Sequence, residues 1–500
     1  MNDDLCFMTA TELAAHIRAR KVSVTETVQA HLAQIARVNP KVNAIVTLTA
    51  ERALDEARAK DAALARGEAA GPLFGLPVAH KDLVPTRGIR TTYGSPIYRD
   101  HVPQEDGLII ERLRAAGAVT IGKSNTPEFG AGSQTFNPVF GRTLNPYDPT
   151  KTCGGSSGGA AVALACGMMP IADGSDMGGS LRNPAAFCNV VGLRPAAGRV
   201  PTWPTETPWF PFSVQGPMAR TVQDAALLLS AMAGPDRRSP IAIAEPGDRF
   251  RAPLERSFTG VRIAFSLDLG GLPVDARVTK VIAAQRSTFQ SLGCVVEDGQ
   301  PDFTDAREVF QVFRAWAFSI KYAPLLATHR HELKDTVIWN VEEGLKLTGA
   351  DIGAAEVKRG HLYHRVREFM ETRHFLVLPS TQVPPFDVTQ PYVTEINGTK
   401  LPTYIDWMRA CSDITMTGLP AISVPAGFTD EGLPVGIQIV GRHQDEWGVL
   451  QLAHAFSLLR PRSSLSPPML GSRTASGLSA GIRPQEWWRS RARAGRGRPA

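Results

Sequence analysis

Residues 154–185 read GGSSGGAAVALACGMMPIADGSDMGGSLRNPA, and this stretch determines how the whole chain is interpreted. Two glycine–serine blocks, at 154–159 and 174–180, flank a predicted helix of small apolar residues at 160–166. Glycines let backbone N–H groups converge on one point, which suits an anion or a developing oxyanion. A flexible linker would not enclose an apolar helix together with an aspartate and an arginine, so the stretch predicts a functional loop.

On both sides of this stretch, short apolar runs alternate with segments of helical periodicity. Ser23-Val-Thr-Glu26 is a capping box that predicts the start of a helix. The predicted strands are 43–48, 76–79, 118–122, 261–265, 294–297, 375–378 and 437–440, and the predicted helices include 50–66, 105–116, 221–232 and 275–292. This alternation favours an α/β fold with a sheet buried on both faces. Residues 303–374 are mostly helical and rich in aromatic side chains, so we expect a helical insertion over the sheet edge.

The composition, 43% apolar and 20% charged over 500 residues, is that of an ordinary globular protein. No apolar run approaches the roughly 18 residues of a membrane span, so no membrane association is expected. Six cysteines without a C-x-x-C pair argue against a disulfide scaffold and a zinc ribbon. The first residues are acidic where a secretory signal would be basic, and we therefore expect a cytoplasmic protein.

The net charge of +6 is concentrated at the C-terminal end of the chain. Residues 461–500 contain eight arginines and a single acidic residue, Glu486, so the rest of the chain is close to neutral. This segment is also rich in Ser, Gly, Pro and Ala and has no periodicity. We therefore predict a folded domain over 1–460, a basic low-complexity and disordered tail over 461–500, and no nucleic-acid binding.

Three local patterns offer alternative interpretations. Residues 154–158 match G-x-S-x-G, but the nucleophile elbow of α/β-hydrolases follows an apolar strand and a polar loop precedes this match. Residues 154–159 are not a phosphate-binding P-loop, because no Gly-Lys-Ser/Thr ends them. His361, His364 and Glu368 share one helical face, as metal ligands would, but without a supporting motif a solvated helix face is favoured.

Seven motifs in order resemble those of the amidase signature hydrolases over residues 8–458. They are GLPVAHKD at 75–82, GKSNTPEF at 122–129, the double glycine–serine block, LRPAAGRV at 193–200, GPMART at 216–221, GLPAISVPAG at 418–427 and GLPVGIQ at 432–438. The resemblance implies a core motif region over 72–200 and a large mixed central sheet covered by helices on both faces. It also implies hydrolysis of a C–N acyl bond through an acyl-enzyme, with no metal and no organic cofactor.

The same resemblance assigns the catalytic residues. The Ser–Ser–Lys triad of the family falls on Ser180 as nucleophile, Ser156 as bridging serine and Lys81 as base, with a cis peptide bond between Gly155 and Ser156. A lysine can act as a base only when it is neutral, so Lys81 must have a lowered pKa, as burial would provide.

Other residues acquire supporting roles by the resemblance. The backbone N–H groups expected to form the oxyanion hole are those of Met177, Gly178, Gly179 and Ser180. The residues expected to line the acyl side of the substrate are Gly130, Ala131 and Gly132, and those expected to support the loop geometry are Ser157, Asp176 and Arg182.

Two departures from the family pattern bear on the substrate. Ser213 stands where many relatives have an aspartate, and Met408 stands where the glutamine-using chain of the tRNA-dependent amidotransferase has an acidic residue. Loss of these polar anchors favours an aryl or hydrophobic amide, or a carbamate (urethane), and we expect aromatic walls from Trp209, Phe210, Phe212, Tyr404 and Trp407.

The sequence therefore predicts an amidase acting on a small-molecule amide or carbamate as a monomer or homodimer. Two alternatives remain open at this point. One is the glutamine-using chain of a tRNA amidotransferase, and the other is a catalytically inactive scaffold.

Overall fold

The computed structural model describes residues 3–68 and 71–459, together with Pro467 and Leu470. Within these residues the strands are β1 Ile45–Leu48, β2 Pro77–Lys81, β3 Val119–Ser124, β4 Phe136–Asn137, β5 Gly141–Arg142, β6 Ile171–Asp176, β7 Val191–Arg194, β8 Val214–Ala219, β9 Arg262–Phe265, β10 Val295–Asp298, β11 Phe375–Pro379, β12 Glu395–Ile396, β13 Thr399–Lys400, β14 Ala421–Phe428 and β15 Pro434–Val440. All seven strands predicted from the sequence are present.

The α-helices of the described residues surround these strands. They are α1 Asp3–Phe7, α2 Ala10–Arg18, α3 Val24–Val42, α4 Ala50–Ala65, α5 Leu108–Ala115, α6 Gly158–Ala165, α7 Arg182–Phe187, α8 Val222–Met232, α9 Ala276–Ala283, α10 Arg286–Ser291, α11 Ala306–His329, α12 Asp335–Lys346, α13 Gly349–Glu371, α14 Arg409–Met416 and α15 Glu446–Leu458. Short 3₁₀ turns, such as Glu128–Gly130, lie between them.

The centre of the fold is an eight-stranded mixed sheet in the order β10-β9-β11-β15-β14-β7-β8-β6. Strands β10, β9 and β11 run parallel, and every later neighbour in this order is antiparallel. Every residue of β7, β11 and β15 is buried, so both faces of the sheet are covered. The predicted α/β class with a large mixed sheet is confirmed.

A second sheet of three strands, in the order β1-β3-β2, carries the lysine of the predicted triad. Strand β2 pairs in parallel with β3 and ends at Lys81, which is opposite Ser124 in the register. All five residues of β2 are buried. The predicted base therefore lies at the end of a buried strand, where its side chain can reach β6 of the large sheet.

Local sequence signals account for helix boundaries at some positions and not at others. The Ser23 capping box forms, since Glu26 donates its N–H to the Ser23 hydroxyl and its carboxylate accepts from the Ser23 N–H at 2.8 Å. The single helix predicted over 275–292 is wrong, because it is divided into α9 and α10. Ala284 and Gln285 have ψ values of −19° and −12°, far from the value of about −42° in a regular α-helix, and this change interrupts the helix between α9 and α10.

Helices α11, α12 and α13 occupy most of the segment 303–374, between β10 and β11. They carry a small apolar cluster separate from the main core, which we call the insertion cluster. Its buried members are Phe129, Ala131, Phe318, Tyr322, Leu333, Val337 and Val341. Because Phe129 and Ala131 flank the predicted acyl-side residue Gly130, this cluster connects the inserted helices to the candidate site.

The predicted tail at 461–500 lies outside the described residues except for Pro467 and Leu470. None of the helices in the described ranges combines the length and the apolar character that crossing a bilayer requires.

Candidate active site

Lys81 lies at the bottom of the candidate site with its side chain fully buried. Its Nζ atom donates to three serine hydroxyls: Ser156 at 2.7 Å, Ser157 at 2.9 Å and Ser175 at 3.0 Å. The first two residues precede helix α6 and the third belongs to β6. The lysine therefore joins the two glycine–serine blocks that the sequence singled out.

The surroundings of Lys81 favour its neutral form. Burial lowers the pKa of the ammonium group from 10.5 to about 7, although the carboxylates of Asp176 and Asp173 act in the opposite direction. A lysine of this pKa is substantially unprotonated at neutral pH, so its amine can accept a proton from a neighbouring hydroxyl.

Ser156 is buried and its backbone is held in an unusual conformation. The peptide bond between Gly155 and Ser156 is cis, as the family resemblance implies. The carbonyl of Gly155 accepts from the Ser133 hydroxyl at 2.6 Å, and the carbonyl of Gly154 accepts from the Thr135 hydroxyl at 2.8 Å. These two hydrogen bonds fix the turn that directs Ser156 toward Lys81.

Ser180 lies on the loop that follows β6 and is partly exposed, whereas Ser156 is buried. Its backbone carbonyl accepts from the N–H of Ser157 at 3.3 Å, which holds the loop against the start of α6. The backbone of Ser180 is therefore next to the turn that carries Ser156 and Ser157, and its side chain is the least buried of the three predicted triad members.

The loop between Asp176 and Arg182 is held by a buried carboxylate. Asp176 accepts from the N–H groups of Gly179 and Leu181, both at 3.0 Å, and from the Arg182 guanidinium at 2.9 and 3.1 Å. Arg194 donates to the backbone carbonyl of Asp176 as well. Although burial raises it, the pKa of Asp176 lies well below its usual range because Arg182 and Arg194 stabilise the charge.

This arrangement modifies the expected oxyanion hole. The N–H of Gly179 is directed to Asp176, so it is already engaged. The N–H groups of Met177, Gly178 and Ser180 form no hydrogen bond with any other described residue. Of the four N–H groups expected to form the oxyanion hole, three therefore have no acceptor among the described residues.

The loop Gly130-Ala131-Gly132 lies close to Ser156. Gly130 has φ +71°, and a Cβ atom at this position would lie 3.5 Å from the Ser156 Oγ. The carbonyl of Ala131 accepts from the Nζ of Lys334 at 3.1 Å, and this Nζ also lies 4.1 Å from the centre of the Phe136 ring. Lys334 precedes α12, and sequence reasoning did not identify it.

The expected aromatic wall is only partly formed. Trp407 is buried in the core, stacked on Phe187 with 6.3 Å between ring centres, and Trp209 is 71% exposed. Tyr404 is buried with its hydroxyl accepting from the Arg314 guanidinium at 2.8 Å. Trp407 is occupied by core packing, Tyr404 by a buried hydrogen bond, and Trp209 is largely exposed to solvent. Their prediction as walls of a substrate pocket is therefore not supported.

Phe310 of α11 lies beside the loop 176–182, and Phe210 and Phe212 of the predicted wall pack against α11. A Cβ atom on Gly178 would lie 3.0 Å from the ring of Phe310 on α11. Phe210 and Phe212 pack edge to face with 5.0 Å between ring centres, and Phe212 contacts Phe313 of α11 at 4.8 Å. Helix α11 therefore places Phe310 beside this loop, a contact that the sequence alone did not predict.

The residues that marked departures from the family pattern take different positions. Ser213 is exposed, and Met408 is buried next to Trp407. The alternative metal ligands His361, His364 and Glu368 are all exposed on α13. No group of three or more potential metal-binding side chains occurs in the part of the chain that the structure describes.

Comparison with known proteins assigns the chain to a family. The amidase family profile matches residues 26–450, and the chain belongs to the amidase signature family. It is an amidase, a hydrolase that acts on carbon–nitrogen bonds. The predicted enzyme class is confirmed.

Relatives of two kinds match almost the whole chain. An acylamidase of Rhodococcus erythropolis is 35% identical over 467 residues, covering 93% of this chain and 98% of the relative. The glutamyl-tRNA(Gln) amidotransferase of Geobacillus kaustophilus (strain HTA426) contains a chain that is 35% identical over 472 residues, covering 89% of this chain and 96% of that relative. We refer to this second relative as the amidotransferase chain.

Solved structures agree with this assignment. A bacterial aryl acylamidase of the amidase signature family superposes with a TM-score of 0.87 at 27% identity, covering 94% of this chain and 99% of that one. A 6-aminohexanoate cyclic dimer hydrolase superposes with a TM-score of 0.85 at 25% identity, covering 93% and 99%.

Proposed function

We propose that this amidase hydrolyses aryl or hydrophobic amides through Ser180 as nucleophile, Ser156 as proton relay and Lys81 as base. The observation that carries the proposal is the position of Lys81, which is buried with its Nζ 2.7 Å from the Ser156 hydroxyl. A buried amine bonded to serine hydroxyls can take up a proton that the serine alone cannot release at neutral pH.

The reaction begins when neutral Lys81 accepts the proton of Ser156 while Ser156 accepts the proton of Ser180. The Ser180 oxygen forms a bond to the carbonyl carbon of the substrate, and the carbonyl π electrons move onto its oxygen. Collapse of this tetrahedral intermediate breaks the C–N bond, and the proton returns through Ser156 to the leaving nitrogen. A water molecule then repeats the sequence on the acyl-enzyme and releases the acid.

The loop between Asp176 and Arg182 supplies the stabilisation of the oxyanion in this scheme. The N–H groups of Met177, Gly178 and Ser180 are the donors, since the N–H of Gly179 is engaged with Asp176. Loss of one such donor costs a transition state about 3 kcal/mol, so a loop held firmly by buried ion pairs matters to the rate.

The preference for aryl or hydrophobic acyl groups rests on three supports. Phe310 lies beside Gly178, and the apolar insertion cluster includes Phe129 and Ala131 on either side of Gly130. The third support is that the matched proteins include an acylamidase and an aryl acylamidase, whose names denote cleavage of acyl amides and aryl acyl amides. Aryl carbamates present the same planar carbonyl–nitrogen bond and form a second substrate class.

The activity of the amidotransferase chain is the alternative function, because relatives of that kind match this protein nearly as completely as the acylamidase does. An enzyme of that kind would use glutamine and transfer ammonia together with partner subunits. Our proposal of a small-molecule substrate, and of a monomer or homodimer without nucleic acid, differs from it in both substrate and assembly.

A comparison of kcat/KM for an anilide, an aryl carbamate and glutamine tests the proposal. We expect the anilide or the carbamate to be cleaved at least tenfold faster than glutamine. A preference for glutamine, or turnover only after partner subunits have been supplied, would support the amidotransferase. No turnover of any of the three, with normal folding, would support an inactive scaffold.

A further inference from the structure

Strand β6 contacts both the backbone N–H and the side-chain Nζ of Lys81. Asp173 and Ser175 are two positions apart on this strand, so their side chains project from the same face. The Asp173 carboxylate accepts from the backbone N–H of Lys81 at 3.2 Å, and the Ser175 hydroxyl accepts from its Nζ at 3.0 Å. The same strand thereby fixes the main chain and the terminal amine of the lysine.

His80 holds the Asp173 carboxylate in place. Its Nδ1 lies 2.7 Å from Asp173 Oδ1, and its Nε2 lies 3.2 Å from the Thr120 hydroxyl. Both His80 and Asp173 are completely buried. A buried carboxylate bonded on one oxygen to a ring and on the other to a backbone N–H has little freedom to move.

The three hydrogen bonds at Lys81 determine the direction in which its amine lone pair can point. A neutral amine has two N–H bonds and one lone pair, whereas three hydroxyls surround the Nζ of Lys81. If Ser157 and Ser175 accept the two N–H bonds, the lone pair faces the remaining hydroxyl, that of Ser156. Removal of either acceptor would let the amine rotate away from this direction.

We propose that Asp173, held by His80, and Ser175 are positioning residues that orient the neutral Lys81 amine so that its lone pair faces Ser156. This inference rests on the proposed role of Lys81 as the base. Ser175 and Asp173 are distinct from the residues that touch the substrate, and they act on the reaction only through the lysine.

Charged groups on several elements face this part of the site. Asp173 and Asp176 on β6 both favour the protonated lysine. The groups that pair with or face these two carboxylates are His80 of β2, Lys123 of β3, Arg182 of α7 and Arg194 of β7. The charge of Asp176 is balanced by two arginines, so substitution of Asp173 is the cleaner way to remove a negative charge near the lysine.

The Ser175→Ala variant tests the orientation of the amine. Misdirection of a reacting group typically lowers a rate by about tenfold to a hundredfold, so we expect kcat to fall in that range with KM within about twofold of wild type. Ser175→Thr keeps the hydroxyl and should restore most of the activity. Ser124→Ala is the matched control, because Ser124 is a buried serine opposite Lys81 in β3 whose hydroxyl has no hydrogen-bond partner among the described residues.

The Asp173→Asn variant adds a readout that a purely structural role would not change. Loss of the negative charge should move the acid limb of the kcat/KM–pH profile to lower pH by about one unit. A Ser175→Ala variant with wild-type kcat, or an Asp173→Asn variant that is folded and active with an unshifted acid limb, would overturn the inference.

Lys81→Met separates this inference from the proposed function. If Lys81→Met is inactive while Ser175→Ala has wild-type kcat, the positioning inference fails and the proposed function stands. If Lys81→Met keeps wild-type activity, the proposed function itself fails. If Asp173→Asn does not fold, the three serine variants still decide the question.

Discussion

The pH dependence of hydrolysis follows directly from the surroundings of Lys81. The side chain is fully buried, and burial lowers its pKa from 10.5 to about 7. With a pKa of 7, roughly nine-tenths of the lysine is neutral at pH 8, whereas an ordinary lysine would be neutral to less than about 1%. Because only the neutral form is a base, activity should be present above pH 7 and lost below it.

We therefore expect kcat/KM to fall about tenfold for each pH unit below 7 and to reach a plateau above about pH 8. The assay follows release of p-nitroaniline from p-nitroacetanilide between about pH 5.5 and about pH 9.5 at constant ionic strength. Lys334, whose pKa burial lowers to about 8, is a second buried lysine near the site, so Lys334→Met serves as a control. This variant should leave the midpoint of the acid limb near pH 7.

Two results would refute this reasoning. A midpoint at or above about pH 9 would mean that Lys81 is not the group whose deprotonation limits the rate. The second result is a midpoint of the acid limb that shifts in Lys334→Met and does not shift in Asp173→Asn. This result would assign the titration to Lys334.

Three further predictions concern the leaving group, the loop and the aromatic residues. Lys81→Ala should reduce kcat for an anilide at least tenfold more than kcat for the corresponding phenyl ester, because an ester leaving group needs less protonation; equal losses would argue against the relay. Arg182→Met should lower the free energy of unfolding in urea by about 3–5 kcal/mol, since it leaves the buried Asp176 without its bidentate partner; a loss below about 1 kcal/mol would contradict the role of this pair. In the same experiment, Trp407→Ala should lower the free energy of unfolding by about 3–5 kcal/mol, because Trp407 is buried. Trp209→Ala should lower it by less than about 0.5 kcal/mol, because Trp209 is exposed. Similar losses for the two variants would contradict the described packing.

Composition separates the predicted strands β9 and β11 from β6 and β8, which the sequence did not predict. The predicted strands β9 and β11 are almost continuous apolar runs, and a run of this kind is visible without any knowledge of the fold. Strands β6 and β8 contain glycine, aspartate or proline in their interiors, so their sequences resemble loops. They are strands because neighbouring strands supply the pairing, which is information that a local pattern does not contain.

Some features of the candidate site are also visible in the local sequence, whereas others depend on contacts between distant segments. The serines and glycines at 154–185 are close in sequence, and their grouping could be read directly. The contact between Phe310 and Gly178 and that between Lys334 and Ala131 join segments more than about 100 residues apart. No local signal in the sequence places α11 beside the loop 176–182 or the start of α12 beside the loop 130–132, so these contacts could not be predicted.

The pair of His80 and Asp173 is an intermediate case. The two residues are 93 positions apart, but each is next to or near a residue that the motifs single out. His80, before the lysine of the predicted triad, and Asp173, two residues before Ser175, are polar residues within buried strands. Buried polar residues need partners, so the polarity of these two positions was a usable signal for the pair.

The identity of the residue that carries the acyl group tests the central claim most directly. The enzyme is mixed with a slowly deacylated aryl ester or carbamate, quenched in acid, and analysed by intact-protein mass spectrometry and peptide mapping. We predict one acyl group per chain on Ser180, and no adduct on Ser180→Ala, which should remain folded. An adduct on Ser156 would contradict the account, because Ser156 would then be the nucleophile of a G-x-S-x-G site and not the relay between Ser180 and Lys81.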